Sequence, residues 1–349
     1  KIVIEEEDDV SGPASPERVQ AFTPEQMVKC ERCSRANGPT RTNCIYCGTP
    51  LPVTEASAAL QMPTLRRLDK GEQGFNSIFL PNANLRLNEE GFREAAAVLR
   101  MDASVLRKIL SLNQPLPLAR AASFDEAALI QRRLGAFGMD TLILADEDLA
   151  VEIKPPKRVR AFKFTDEYLI GYEMGSVEGL REAWSEIILF VTGRLVVQSV
   201  EIEEKRGRRD DKEIVNARET SADDSVLDIY TVHLDGGWRV SANGFNYSCL
   251  GKKMRILAAE NFTKLAEELR AHAPAAEYDD FYRQARHALA AVWPFDQRTQ
   301  SSGVRRKGIA RYNVAEVTTS DNETQFTRYS RLRQYLKLRG ANLKETQES

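Results

Sequence analysis

The residues best suited to chemistry in this sequence are two short cysteine pairs. Cys30 and Cys33 form the first Cys-x2-Cys pair, and Cys44 and Cys47 form the second, after ten intervening residues. Each pair can hold a cation from one tight turn. Four thiolates make the closed, tetrahedral shell of a structural zinc site, which leaves no position for a catalytic water. The spacing therefore predicts one structural Zn²⁺ held by these four cysteines.

Two disulfides are the alternative use of four cysteines. Disulfide frameworks belong to oxidising compartments. No signal peptide is recognisable ahead of the cysteines, and a fifth cysteine, Cys249, has no counterpart. We therefore expect zinc and a reducing, cytoplasmic location. A ribbon of about thirty residues has too small a core to fold alone, so the metal would supply most of its folding free energy.

The segment Cys30–Leu51 resembles the small bacterial zinc-ribbon family, in which an asparagine lies between the cysteine pairs and a glycine follows the last cysteine. Asn37 and Gly48 fill those places. The cysteine spacing is also similar to that of zinc fingers of the Ran-binding-protein type, which bind RNA or ubiquitin. Those fingers carry a tryptophan two residues before the first cysteine, where this chain has Val28. The resemblance implies a small zinc-clipped knob.

The composition of the chain limits the number of domains and the classes of partner. The chain has 349 residues, 42% of them hydrophobic and 29% charged, which suits two to four ordinary globular domains. A net charge of −2 gives no overall field toward nucleic acid or a membrane. No apolar run approaches the roughly 18–20 residues that cross a bilayer. No catalytic motif and no small-molecule substrate is evident, so we expect a protein that is not an enzyme.

The predicted fold class is multidomain α+β, with a four-cysteine zinc ribbon, a small α/β sandwich, a helix-capped β barrel and extended charged termini. The predicted divisions are a disordered acidic arm at 1–24, the ribbon at 25–52, a linker at 53–74, the α/β domain at 75–153, the barrel with its helices at 157–295 and a basic extended or helical tail at 296–349. A stiff double-proline linker separates the α/β domain from the barrel.

The α/β domain is predicted from a change in apolar spacing after residue 75. The strand candidates are Phe75–Leu80, Pro115–Ala121 and Thr141–Leu144. The helix candidates are Asn88–Leu99, Ser104–Leu112 and one that opens at the capping box of Ser123. This order, with the run from 116 to 138, resembles the C-terminal domain of ribosomal protein L7/L12 and the ClpS adaptor fold. The resemblance implies a domain that docks on other proteins.

The barrel is predicted from seven short apolar runs. The strand candidates are Arg158–Phe164, Tyr168–Tyr172, Trp184–Val191, Leu195–Glu203, Leu227–His233, Trp238–Ala242 and Phe245–Leu250. Thr192-Gly193 and Asp235-Gly236-Gly237 are turn signals, and Lys205–Asp211 is predicted as an exposed loop, with an anion site as the alternative. Seven strands closed by the amphipathic helix Glu260–His272 resemble a pleckstrin-homology-like barrel. The resemblance implies binding of phosphoinositides, peptides or proteins.

The segment 296–349 is basic, with eleven Lys or Arg against six Asp or Glu. Two further helices are predicted. Glu277–Trp293 lies before this segment, and Gln325–Leu338 lies within it. Basic residues with interleaved aromatics suit RNA, an anionic membrane or an acidic partner groove; packing of the segment on its own domains is the alternative. The candidate partner-binding residues are Arg305, Arg306, Lys307, Arg328, Arg331 and Arg333.

The favoured expectation is a non-catalytic adaptor or scaffold subunit of a larger protein assembly. Its ribbon, α/β and barrel domains would each offer a weak docking surface, joined by linkers that raise the effective concentration. The first alternative is an RNA-, ribosome- or DNA-associated factor that uses the ribbon and the basic C-terminal segment. The second is a peripheral membrane protein that binds anionic lipid.

Overall fold

The computed structural model describes residues 22–41, 43–52, 62–69, 71–151, 153–206, 212–233, 236–308 and 311–348, with side chains described outside 204–215, 302–315 and 341–348. The chain divides into two compact units between Thr64 and Leu65. Most of the predicted acidic arm, much of the predicted linker and the tip of the loop at 207–211 lie outside the described residues. No helix of the described residues combines the length and apolarity that a membrane span needs.

The first unit holds few regular elements. They are a 3-10 helix at Pro24–Gln26 and a two-stranded antiparallel sheet of β1 (Val28–Lys29) and β2 (Ala36–Asn37). An isolated bridge joins Asn43 to Pro50. The small buried core consists of Val28, Cys30, Cys44 and Leu51, with Cys33 and Cys47 packed against it. Half of that core is cysteine, so the cysteines must contribute much of the stability of this unit.

The second unit begins with a three-stranded antiparallel sheet and its helices. The elements are β3 (Phe75–Phe79), α1 (Glu89–Val98), α2 (Ala103–Ser111), β4 (Leu116–Ala121), α3 (Phe124–Gly135), β5 (Thr141–Ala145) and α4 (Asp146–Leu149). The strand order is β4-β3-β5. The predicted alternation of strand, helix, helix, strand, helix, strand is confirmed, as is the cap of α3, where Ser123 accepts a hydrogen bond from the Glu126 amide.

A large sheet follows. Its strands are β6 (Lys157–Phe164), β7 (Tyr168–Glu173), β8 (Leu180–Ala183), β9 (Ile187–Arg206), β10 (Lys212–Thr231), β11 (Trp238–Ser241), β12 (Glu277–Asp279), β13 (Asp296–Gly308) and β14 (Arg311–Asp321). Eight of them pair in the order β13-β14-β9-β10-β11-β6-β7-β8, and β12 pairs with β9. Among the described strands, β8 and β13 end this path without pairing to each other. The sheet is therefore a curled half-barrel, and the expected mixed α+β class is confirmed.

One predicted turn, one predicted strand and one predicted helix differ in the structure. Thr192-Gly193 makes no turn, because β9 continues through it as one strand of 20 residues. Gly193 instead leaves room for a ring: a Cβ there would lie 2.4 Å from the Phe326 side chain. Phe245–Leu250 is not a strand, since a 3-10 helix covers Tyr247–Lys253. The predicted helix Glu277–Trp293 splits into β12 and the shorter α6 (Tyr282–Leu289).

Both faces of the large sheet are covered. On one face the predicted amphipathic helix, α5 (Ala258–His272), buries Phe262, Leu265 and Leu269 against β-strand residues such as Phe190. On the other face α6 and α7 (Glu323–Glu348) share one core with the three-stranded subdomain. In the stretches 187–191 of β9 and 226–230 of β10, side chains on opposite faces enter the two cores, which is why these stretches are apolar almost throughout.

The C-terminal segment, expected as an extended or helical tail, is part of the second unit. Its first part forms the strands β13 and β14, and its last part forms α7, which contains the predicted helix. β14 pairs with β9, β13 pairs with β14, and α7 buries Phe326, Tyr329 and Leu332 completely. The predicted apolar stripe of this helix is therefore correct, and the alternative of packing on its own domains holds. A polar segment needs no core of its own when it adds strands and one apolar stripe to an existing core.

A buried ion pair fixes α7 against the sheet. Asp228 of β10 and Arg239 of β11 are cross-strand neighbours and both are buried, with Arg239 Nε 2.7 Å and Nη2 2.8 Å from the Asp228 oxygens. Burial disfavours the charge of Arg239, but Asp228 outweighs that effect and raises the pKa of the guanidinium. Arg239 also donates to Thr327 and Glu323 of α7. The pair thereby ties two strands and a helix together.

A chain of polar contacts joins α7 to the three-stranded subdomain. Tyr282 donates to Gln325 over 2.7 Å, and Gln325 donates to the Trp293 carbonyl over 2.7 Å. Trp293 Nε1 donates to Asn76 of β3 over 2.9 Å, and Asn76 donates to Asp146 over 2.9 Å. These contacts lie in the interior. The predicted α/β and barrel domains are therefore parts of one compact unit and are not separate bodies joined by a linker.

We expect Arg239→Met to destabilise the second unit by about 3–5 kcal/mol, because it leaves Asp228 buried and unpaired. The measurement is urea unfolding followed by circular dichroism. Arg107→Met is the matched control, since Arg107 pairs with Glu89 on the surface and its loss should barely change the free energy of unfolding. Equal effects of the two substitutions would contradict the role given to the buried pair.

Two glycine substitutions should change the free energy of unfolding in opposite directions. Gly193→Ala forces the Phe326 ring to move and should cost about 1–3 kcal/mol. Gly135→Ala, in α3 with nothing within 4 Å of the added Cβ, should stabilise by about 0.5–1 kcal/mol. Thermal unfolding of both variants checks the pair. A stabilising Gly193→Ala would mean that Phe326 does not pack against this strand.

Candidate metal centre

The four cysteines lie in two turns with the same backbone geometry. In the first turn the Cys30 amide donates to the Arg35 carbonyl over 3.0 Å and the Ser34 amide donates to the Cys30 carbonyl over 2.8 Å. In the second turn Cys44 takes the place of Cys30, with matching bonds to Thr49 over 2.8 Å and from Gly48 over 2.9 Å. We call them the first and second knuckle, Cys30–Arg35 and Cys44–Thr49.

Each knuckle needs a residue with positive φ directly after its second cysteine. Ser34 has φ of 58° and Gly48 has φ of 72°. Glycine adopts this left-handed conformation without cost, and a serine there is strained. The left-handed conformation turns the chain back, so that both cysteines of a knuckle face the same point. A glycine at position 48 is compatible with this geometry, whereas the serine at position 34 is no signal of it.

The two knuckles bring all four sulfur atoms together. Every Sγ lies within 4.8 Å of the others, and the Cys30–Cys47 and Cys33–Cys44 pairs are each 3.5 Å apart. A tetrahedral site with Zn–S bonds of about 2.3 Å has S–S edges of about 3.8 Å. The predicted ligands are thus assembled at a spacing that fits one metal ion, and zinc is a plausible occupant. The sulfurs are too far apart to be disulfide-bonded.

Asn37 connects the two knuckles. Its side chain is buried, donates to the Cys44 sulfur over 3.5 Å and to the Arg35 carbonyl over 2.9 Å, and accepts from the Ile45 amide over 3.0 Å. One amide group therefore reaches the end of the first knuckle and a metal ligand of the second. Such outer contacts orient ligands and tune their affinity for a metal.

The electrostatics of the sulfurs favour a cation at their centre. Burial raises the pKa of the Cys44 thiol, but the amides of Tyr46 and Cys47 outweigh it and lower that pKa to about 6. The Arg35 amide lowers the pKa of Cys33, whereas burial and the neighbouring cysteines raise it to about 12. Four thiolates cannot share this space without a positive charge between them. Metal affinity should consequently fall as the pH falls and the thiolates are protonated.

The tip of the second knuckle carries two exposed apolar residues. Ile45 is 53% exposed and Tyr46 is 52% exposed, and the Arg35 guanidinium lies 4.6 Å from the centre of the Tyr46 ring. The corresponding residues of the first knuckle are the charged and exposed Glu31 and Arg32. Ile45 and Tyr46 were not among the predicted site residues. Comparing the two knuckles position by position would have shown that they differ in polarity at the tip.

The six predicted partner-binding residues lie in two elements, the strand β13 and the helix α7. Arg305, Arg306 and Lys307 lie in β13, and their side chains are outside the described part of the chain. Arg328 of α7 is half-buried and lines an open groove of about 1240 Å³.

Two of those residues are internal braces. Arg331 is 4% exposed, and it donates to Gln334 over 2.8 Å and to the Lys154 carbonyl. Arg333 pairs with Asp279 at 2.6 Å and with Glu277 at 3.0 Å. These contacts tie α7 to β12 and to the segment that precedes β6. Neither side chain offers a partner its full set of donors, because the chain itself uses them.

The fifth cysteine lies apart from the metal centre. Cys249 is half-buried in the 3-10 helix Tyr247–Lys253 of the second unit. Burial raises the pKa of its thiol to about 11, so it is protonated at neutral pH. A protonated thiol is a poor nucleophile, so Cys249 is unreactive at neutral pH.

Comparisons with known proteins add no family to this description. No family model, no curated protein and no solved structure matches the chain. The four-cysteine centre is therefore described from its own geometry.

Removing the Asn37 side chain should weaken metal binding. We expect Asn37→Ala to lower the affinity for Zn²⁺ roughly tenfold to a hundredfold, because Cys44 loses a hydrogen bond and the knuckles lose their connection. Competition with a chromophoric chelator measures the affinity. Asn43→Ala is the control, since Asn43 is exposed and directly precedes the second knuckle. Equal affinities for both variants would exclude a role for Asn37 in the site.

Proposed function

We propose that this chain is a non-catalytic adaptor, whose N-terminal ribbon holds one structural Zn²⁺ and binds a protein partner through Ile45 and Tyr46. The observation that carries the proposal is the second knuckle. It joins two metal-ligand positions, Cys44 and Cys47, to two apolar side chains that are more than half exposed. The metal would hold the turn, and the turn would present the apolar tip.

The donor set supports zinc in a structural role. Thiolates are soft ligands, and four of them in tetrahedral array suit Zn²⁺. A shell completed by protein sulfur has no open position where a substrate or an activated water could bind. When bound, the ion would neutralise the four thiolates and hold both knuckles. The small core around Val28 and Leu51 would then fold with the metal.

The composition of the tip supports a protein partner. Aromatic and large aliphatic residues are the usual anchors of protein interfaces, and they act best when they are already held in their bound conformation. Tyr46 is held by the knuckle backbone and by Arg35 above its ring. A tyrosine also offers its hydroxyl for a hydrogen bond at the rim of an interface.

The second unit would supply further docking surfaces in this proposal. The expected resemblance to the L7/L12 C-terminal domain belongs here as well, and the element order of residues 75–145 supports it. The expected resemblance to a pleckstrin-homology-like domain rests on the curled sheet with α5 packed on one face. An adaptor with two units gains avidity when both bind the same assembly. Nucleic acid as the partner of the ribbon is a competing outcome that the experiment below separates.

The test is an affinity purification of the zinc-loaded full chain from its source cell, with and without nuclease. We expect a protein to be recovered at fixed stoichiometry after nuclease treatment and to be lost with the double variant Ile45→Ser/Tyr46→Ser. Zinc content, measured on the same samples, should remain one ion per chain, because neither residue is a ligand.

The first knuckle provides the matched control. Glu31→Ser/Arg32→Ser changes the corresponding positions of Cys30–Arg35 and should leave recovery unchanged. If the two double variants retain the partner equally, the tip of the second knuckle is not the docking site. If recovery of any partner depends on nucleic acid, the ribbon acts on RNA or DNA and the adaptor proposal fails.

A further inference from the structure

We propose that the connection between the 3-10 helix Tyr247–Lys253 and α5 is a membrane-docking loop that inserts into the surface of an anionic bilayer. The connection itself is residues 254–257. Together with the end of the 3-10 helix and the first residues of α5 it forms the exposed segment 251–260, which we call the loop and in which all ten residues are exposed. This proposal concerns the second unit and does not depend on the ribbon or its partner.

The loop presents apolar side chains directly to water. Ile256 is 100% exposed, Leu257 is 60% exposed and Met254 is 52% exposed. Single exposed apolar residues are common on protein surfaces, but three within four positions form a patch that usually marks a binding surface. The complete exposure of Ile256 means that no neighbouring element packs against it. The patch is a protruding tip and not the wall of a groove.

The tip is held in place from both ends. Leu250 before the loop and Asn261 after it are both buried. The Asn261 side chain accepts from the Arg255 amide over 2.6 Å and donates to the Arg255 carbonyl over 2.9 Å. At the start of the loop, Lys253 pairs with Glu268 of α5 at 2.6 Å. The apolar residues are therefore displayed by a clamped backbone, and docking would require little further ordering.

The charges around the tip favour an anionic bilayer as its binding partner. Lys252, Lys253 and Arg255 alternate with the apolar residues, and Glu260 is the single acidic residue of the loop. The nearby carboxylates of α5 are engaged, since Glu268 pairs with Lys253 and Glu267 pairs with Lys264. Apolar tips flanked by cations match the interface of an anionic bilayer, where acyl chains lie just below a layer of negative headgroups.

Vesicle binding by the full, zinc-loaded chain tests this proposal. We expect sedimentation with vesicles in which about a third of the phosphatidylcholine is replaced by phosphatidylglycerol, and much weaker sedimentation with phosphatidylcholine alone. Ile256→Ser/Leu257→Ser should weaken binding to the anionic vesicles by roughly tenfold or more. Lys252→Gln/Arg255→Gln should reduce the preference for anionic vesicles.

Val177→Ser is the matched control. Val177 is 93% exposed on another loop of the same unit, with no Lys or Arg in 174–179, so its loss should leave vesicle binding unchanged. Unchanged melting temperatures would show that all variants are folded. Absence of wild-type binding to anionic vesicles would overturn the proposal and assign the loop to a protein partner. Equal binding of the wild type and Ile256→Ser/Leu257→Ser would overturn it too.

Tryptophan fluorescence gives a second readout. The three natural tryptophans are buried, so a tryptophan introduced at position 256 would be the water-exposed one. Ile256→Trp should show a blue shift on addition of anionic vesicles, whereas Val177→Trp should not. A shift in both variants or in neither would contradict insertion of this loop.

Discussion

Packing of the C-terminal helix against the large sheet is the interaction on which the second unit depends. α7 brings Phe326 against Gly193, where any Cβ would collide with the ring. Just before the helix, the Asn322 side chain accepts from the Val196 amide and donates to the Arg194 carbonyl. On this edge of β9, β12 pairs before these residues and β14 pairs after them. Asn322 therefore satisfies backbone groups that neither strand reaches. Without α7, Gly193 would lose the Phe326 ring, Arg239 would lose its acceptors Glu323 and Thr327, and the shared core would be open.

The two units differ in the size of the apolar core that stabilises each of them. The second unit has two extensive apolar cores, one on each face of the sheet, with buried polar contacts that join its parts. The ribbon has four buried apolar residues, of which two are cysteines. A core of that size cannot offset the conformational entropy of its chain, and in our proposal a metal at the four thiols would supply the missing stability. Loss of the metal should then affect the ribbon and leave the second unit folded.

Sequence reasoning succeeded where the signal is local and failed where a distant segment decides. The cysteine pairs, the capped helix at Ser123 and the alternation between 75 and 145 were predictable because spacing alone specifies them. The continuous strand β9 was not, since Thr192-Gly193 has the composition of a turn, and only the ring of Phe326, far along the chain, shows why glycine is there. Arg331 and Arg333 were assigned to a partner surface for the same reason: their internal acceptors are remote in sequence.

The exposed loop at 251–260 and the knuckle tip at Ile45 and Tyr46 were also beyond sequence reasoning, because an apolar residue is by default expected in a core. Hydrogen exchange of the full chain, read by mass spectrometry, tests the central claim most directly. The account predicts that amides in the first half of α7 are protected as strongly as those of β3 and β9, since all open with one core. Exchange of residues 323–338 at the rate of an unstructured tail, with β3 and β9 still protected, would contradict it.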